Sequence, residues 1–303
     1  MVKVSEPLSG KQFVLRYGDA EAVIVEVGGG LRAYTAAGRD IVAGYPADVI
    51  SPRAAGAVLV PWPNRLAGGL YTFEGVEHQA AISEPAMRNA NHGLGRWTRW
   101  TCVEQTENGV TLAWAVPPQG GYPFSLDVRT TWSLGPDGLR ADHSALNVGD
   151  GAAPFGLGIH PYLSINDAAR ADVTVRVPAK LRVLVDDNKI PIGTKTVDGT
   201  ADDLRAGRPL TEVDLDFSLA SLERSPGGRA VASVAHPGGG ATLWMDPAFD
   251  WVQVFTPDAL GDHPASVALE PMSCPANAFN SGDGLVVLAP GARWTGSWGI
   301  TPL

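Results

Sequence analysis

Glycine and proline cut this 303-residue chain into short runs along its whole length, and no stretch of about 12 residues repeats apolar positions at helical spacing. The 36 glycines and 24 prolines are not gathered into a linker. A helix does not propagate through such punctuation, whereas strands of a few residues need turns at this density. "EAVIVEV", "GGG" and "LRAYTAAG" (residues 21–38) read as strand, turn, strand. "RWTCVEQT" and "VTLAWAV" flank Asn108-Gly109, a dipeptide that favours hairpin turns. "LDVRTTWSL" and "LRADHSALNV" flank "GPDG", and "AVASVAH" and "ATLWMD" flank "PGGG". "GLVVLAPGARWTGSWGI" adds two strands near the end. Only "ADDLRAG" (201–207) leaves room for a helical turn, and the polar stretch 186–216 is expected to hold the longest loops.

These signals predict an all-β protein, a large two-sheet antiparallel β-sandwich forming one domain over residues 1–303. No composition break, internal repeat or low-complexity tract suggests a boundary. A hydrophobic fraction of 45% is ample for a packed core. The formal net charge of −9, without a Lys/Arg cluster, argues against nucleic acid or an anionic membrane as partner. No apolar run approaches the roughly 18 residues of a membrane span, and the first residues lack a leader's apolar core, so a cytoplasmic protein is expected. The two cysteines, Cys102 and Cys274, form no C-x-x-C pair and are read as buried thiols. Composition leaves monomer and homodimer open.

Four stretches do not look like generic strand and turn. "VPWPNRLAGG" (60–69) sets Asn64 and Arg65, both rich in donors, between a proline-punctuated strand end and a glycine turn. "NANHGLGRWTRW" (89–100) carries His92 in a glycine-broken loop, with Trp97 and Trp100 read as core tryptophans. In "FGLGIHPYLSI" (155–165), His160 ends a strand and Pro161 fixes the exit. Gly156 and Gly158 leave one face of that strand without side chains, so that a ligand can approach the backbone. "SVALEPMSCPANAFNSG" (266–282) repeats the device: Glu270 ends an apolar run and Pro271 follows. A carboxyl beside apolar residues loses solvation, which raises its pKa toward the range useful in proton transfer. Zinc-protease, nucleophile-elbow and phosphate-loop motifs are lacking.

Together, in this order, the four stretches resemble the aldose 1-epimerase (galactose mutarotase) family, from about residue 20 to the C-terminus, and look like a bacterial branch of it. The resemblance implies an isomerase, an aldose 1-epimerase that interconverts the α and β anomers of a hexose, with no metal or redox cofactor. It implies that His160 in "LGIHPYL" is the general acid and Glu270 in "ALEPM" the general base. Asn64 and Arg65 would contact sugar hydroxyls and His92 would lie near the ring oxygen. Asp214 in "EVDLDFSL" and Gln253 in "WVQVFTP" would also face the sugar. Asp216, two residues on, would share the face of Asp214 on a strand. The sequence departs from the family where Ile159 replaces an asparagine before His-Pro, and where "PANAFN" lacks an aspartate. The partner implied is a small-molecule aldose.

Ring opening needs one group to take the proton from the C1 hydroxyl while another protonates the ring oxygen. Neighbouring carboxylates are expected to favour the protonated form of His160. A sugar-binding module without catalysis would use the same groove but has no need of both His160 and Glu270. A glycosidase would pair two carboxylates, such as Glu270 and Asp214, and leave His160 idle.

Overall fold

The computed structural model describes residues 6–257 and 266–303. Most of its strands form two large sheets, with three further two-stranded sheets beside them, and every strand pair is antiparallel. The larger has 12 strands and the other nine. The first runs, in spatial order, through Gln12–Tyr17, Ala20–Val25, Leu31–Ala36, Arg39–Val42, Tyr162–Ser164, Ser266–Met272, Trp251–Phe255, Asp216–Leu222, Ala179–Val185 and Pro191–Thr196, with Gly158–Ile159 branching from Ser266–Met272 and pairing Val58–Leu59. The second runs from Thr101–Gln105 through Gly109–Val116, Leu126–Gly135, Gly138–Asn147, Arg293–Pro302, Gly239–Met245, Ala230–His236 and Thr174–Arg176 to Arg208–Pro209.

Period-2 patterning explains the packing. In Leu126–Gly135 and Gly138–Asn147, buried residues alternate with more exposed ones, so each strand buries one face. The buried faces of both sheets meet in a single core: Leu15, Ile24 and Leu31 from one join Val128, Trp132, Leu243 and Ile300 from the other. Trp132 is fully buried and donates from its indole to the Gly29 carbonyl at 3.1 Å, a polar tie between the sheets. The hairpin signals fold as expected: Thr106 and Gly109 close the Asn108-Gly109 turn, Gly135 pairs with Gly138, and His236 pairs with Gly239.

Two expectations change, while the polar middle does hold a long loop at 197–207. "ADDLRAG" holds turns but no helix; the α-helix among the described residues is the four-residue Ala278–Ser281 inside "PANAFNSG". The polar middle contains an exposed edge strand, Pro191–Thr196, which explains its composition: both of its faces see solvent. Cys274 is buried, but Cys102 is half-buried on the outermost strand of the second sheet, and both are free thiols. No helix among the described residues is long and apolar enough to cross a membrane.

Candidate active site

The central strands of the larger sheet have a second buried face. All of Ser266–Met272 is buried. Val267 and Leu269 point into the core, so Glu270 points away from it. The next strand repeats the split: Val252 and Val254 enter the core while Gln253, directly opposite Glu270, takes the outer face. In Asp216–Leu222, Phe217 and Leu219 are core, and Ser218 lies opposite Gln253. Ser218, Gln253 and Glu270 thus form one row across three strands by register alone. His160 arrives from the other side. Leu157, Ile159 and Leu163 are core, while His160 and Tyr162 share the outer face and stack with centroids 4.8 Å apart.

Gln253 and Glu270 of this row border a cavity of about 330 Å³, within the range usual for small-molecule sites. Asn64, Arg65, His92, His160, Gln253 and Glu270 all line it. So do Arg53, Glu84, Asn91, Arg96, Tyr162, Asp216 and Phe255, of which the sequence reading had weighed only Asp216. Tyr162 was open to discovery: it stands two residues after His160 on a strand. The others sit in loops, or on strands with no charged pattern to announce them.

Asp214 is not among the lining residues. It is exposed and precedes the strand that begins at Asp216, whose carboxyl does face the cavity. Of two aspartates at the same parity, only the one inside the ladder has its direction fixed by the sheet. The tryptophans also stand elsewhere. Trp62 and Trp100 are buried, and Trp62 packs edge-on against Phe279. Trp97, expected in the core, is 60% exposed.

The two glycines before His160 serve packing rather than ligand approach. A Cβ on Gly158 would stand 2.7 Å from Pro63 Cβ, and one on Gly156 would stand 2.4 Å from Cys274 Sγ. They let Val60–Asn64 lie across the strand, with Gly156 N–H donating to the Pro61 carbonyl at 2.7 Å. Asn64, in the left-handed region at φ 54°, then turns the chain over the site. Its carbonyl accepts from His92 N–H at 2.8 Å, and the Arg65 carbonyl accepts from Asn277 N–H at 2.6 Å. All four sequence stretches therefore lock together here.

The polar groups are strictly ordered. Gln253 Oε1 accepts from the Ser218 hydroxyl at 2.5 Å and from Asn64 Nδ2 at 3.4 Å, which turns its amide nitrogen toward Asp216 Oδ1, 3.4 Å away. Arg65 forks onto Glu84 with two bonds of 2.8 Å. Lys189 donates to Asp216 Oδ2 at 2.9 Å. His92 Nδ1 accepts the Asn64 N–H at 3.3 Å, so the ring proton belongs on Nε2. Burial, followed by the charges of His160 and Arg96, holds His92 well below the usual histidine range and keeps it neutral.

His160 Nε2 lies 3.3 Å from Glu270 Oε1, both side chains almost wholly buried. Glu270 Oε2 and His160 Nδ1 are buried without a hydrogen-bond partner. Burial pushes the Glu270 carboxyl well above its ordinary range and the His160 imidazole down to about 3. The expectation that carboxylates would keep His160 charged is thus reversed, because desolvation outweighs attraction. Burial favours the uncharged form of each group, a protonated Glu270 carboxyl beside a neutral His160 imidazole.

The chain matches the Aldose 1-epimerase family over residues 11–301. It belongs to the aldose 1-epimerase family. The uncharacterized protein YihR of Escherichia coli K12 is 34% identical over 284 residues, covering 93% of this chain and 90% of YihR. Pig (Sus scrofa) galactose mutarotase is 30% identical over 217 residues, 66% of this chain and 61% of the pig protein. The fold is that of the aldose epimerase homologue from C. elegans, with a TM-score of 0.85 at 20% identity over 97% and 98% of the two chains. The antiparallel supersandwich of this aldose 1-epimerase family member is therefore a galactose mutarotase-like fold.

Proposed function

We propose that this protein interconverts the α and β anomers of an aldose by opening and closing the sugar ring, with Glu270 and His160 as the proton-transfer pair. What carries the reading is that pair: two buried titratable groups 3.3 Å apart on the wall of a small polar cavity. A group that only holds a sugar needs no such arrangement, since burying two ionisable side chains together is costly.

The chemistry asks for a proton on the histidine and a bare carboxylate. The pair already holds the required single proton, so only its position has to change. A C1 hydroxyl donating to Glu270 Oε2 would stabilise the carboxylate and move that proton to His160 Nε2. Glu270 then takes the hydroxyl proton while His160 protonates the ring oxygen. The bond between C1 and the ring oxygen breaks, leaving an open aldehyde. Rotation about C1–C2 and the reverse transfers close the ring as the other anomer. Each transfer partner contributes a factor of about 10² to 10⁴. Asn64, Arg65, Gln253 and Asp216 would hold the other hydroxyls, and the His92 Nε2 proton would donate to a sugar oxygen.

Anomer exchange measured at equilibrium by two-dimensional exchange NMR, over a panel of aldoses, tests the reading. At least one aldose should exchange far faster than in buffer. If none does, the chain is not a mutarotase.

A further inference from the structure

The cavity carries more positive charge than a neutral sugar requires. Its Arg65 is forked by Glu84, and Lys189 pairs with Asp216 at the rim. Arg53 and Arg96 are different. Among the described residues, neither guanidinium makes a hydrogen bond or an ion pair. Both line the cavity. The Arg96 guanidinium carbon lies over the Trp97 ring, 3.9 Å from its centroid, and among the described residues its Nε is buried and unpartnered. Glu84 is the carboxylate that bears on it, and both oxygens of Glu84 are taken by Arg65. Arg53 stands 5.9 Å from the Phe255 ring, on a backbone held at φ 50°. Among the described residues these two guanidiniums have no carboxylate partner, in contrast to the chain's net charge of −9.

Arg96, partly desolvated, held over an indole ring and without a carboxylate partner among the described residues, is suited to a phosphate, sulfonate or carboxylate group, and the exposed Arg53 adds a second guanidinium on the same cavity. We infer that the substrate is an aldose bearing an anionic group on C6, bound by Arg96 and Arg53. This rests on the mutarotase reading for its orientation. Arg96 follows His92 by four residues, lines the same cavity as His92 and His160, and is near enough for its charge to bear on both. If His160 serves the ring oxygen, then C5, which is bonded to that oxygen, and its C6 substituent extend toward the same wall.

The arrangement bears on the chemistry as well as on affinity. Arg96 is a charge that disfavours a proton on His160. A C6 anion bound to Arg96 offsets that charge and lets His160 take up the proton it must deliver. A neutral aldose leaves it unopposed.

The experiment compares glucose with glucose 6-phosphate, glucuronate and 6-deoxy-6-sulfoglucose by exchange NMR, together with calorimetric titration of the same sugars into Glu270→Gln. At least one anionic aldose should exceed glucose in kcat/KM by about tenfold or more, with the advantage shrinking as salt is added. Arg96→Gln and Arg53→Gln should each cut the anionic-to-glucose ratio several-fold, and Arg96→Lys should retain part of it. Arg53 is exposed, so its variant keeps the fold. Equal turnover of glucose and all three anionic sugars overturns the inference, as do arginine variants that weaken both classes alike. If wild type exchanges nothing but Glu270→Gln still binds an anionic sugar about tenfold tighter than glucose, the anion site stands and the mutarotase reading falls. No exchange and no preference removes both.

Discussion

Gln253 stands directly opposite Glu270 in the antiparallel pair Trp251–Phe255 and Ser266–Met272, and Ser218 stands opposite Gln253 in the next strand. The sheet's register thus carries an amide, a hydroxyl and a carboxyl onto one face at fixed spacing. Such placement is rigid because moving any one of them means slipping a ladder, which would turn the core residues outward.

The pair itself gives the first prediction. Glu270→Gln keeps the shape but removes the basic oxygen, and kcat should fall by on the order of 10² or more. Sugar titration should still show binding, because Asn64, Arg65 and Gln253 are untouched. His160→Ala should lower kcat similarly. The double variant should lose less than the product of the two losses, since the residues act on one proton. Exchange at the wild-type rate in Glu270→Gln would remove that residue from the reaction.

The pH dependence follows from the same proton. Burial drives the two pKa values apart, so kcat/KM should be flat between the His160 value near 3 and the raised Glu270 value. On the acid side, activity falls when a second proton enters His160, whose pKa burial holds near 3. On the alkaline side it falls when the pair loses its only proton, at a pH well above the ordinary glutamate value of 4.5. An acid limb bending near pH 6.5 would mean that an ordinary histidine governs the rate.

The two aspartates separate by direction. Asp216→Asn should raise KM several-fold with a smaller change in kcat, because Asp216 faces the cavity and receives Lys189 and Gln253. Asp214→Asn should leave both constants unchanged. Steady-state rates from exchange NMR across a sugar titration decide it. The reverse pattern would place Asp214 at the sugar.

Strand parity made much of this legible in the sequence. The alternation of "FGLGIHPYL" and "SVALEPM" already separates core residues from His160 and Glu270, and the turn dipeptides mark the hairpins. Parity fails where a residue precedes its strand, and so it did not choose between Asp214 and Asp216. It is silent about loops, which is why Arg53, Glu84 and Arg96 went unseen: only tertiary folding brings those segments beside the sheet. The proton's position was also illegible. Nearby carboxylates suggest a charged His160, but the extent of burial appears only once the segments over the sheet are in place.

Acid stability can be read from His143, which lies in the core and is not a lining residue of the cavity. Its Nε2 accepts from the Trp298 indole at 2.9 Å, so its Nδ1 proton goes to Thr130 Oγ1, also at 2.9 Å. Burial lowers its pKa from 6.5 to about 3. The unfolded chain therefore takes up this proton first as pH drops. The contribution is intact above pH 6.5 and is lost as pH falls from there toward 3. By pH 4 the loss is on the order of 3 kcal/mol. His143→Gln should be less stable at pH 7 but show a shallower decline of stability with acid, measured by urea unfolding at several pH values. Parallel slopes for the two proteins would show that His143 does not titrate on unfolding.

The glycine face gives the last prediction. Gly156→Ala places a methyl 2.4 Å from Cys274 Sγ in a fully packed layer, and the next neighbour, Pro63 Cδ, is 3.2 Å away. Overpacking of this kind costs about 1–3 kcal/mol. The strain has a direction: relief must push either the Cys274 segment or the Val60–Asn64 segment off the strand. Asn64 would then shift relative to Gln253 and His92, so Gly156→Ala should lower the melting temperature and raise KM together. Cys274→Ala removes the clashing sulfur and leaves a small cavity of its own. In the double variant each change fills the defect of the other, and its stability should exceed the sum expected from the single variants by at least about 1 kcal/mol. Thermal unfolding of the four proteins closes the cycle. Additive losses would mean that Gly156 is small for the sake of Pro63 or of the backbone, and that the sulfur is not what fills this face.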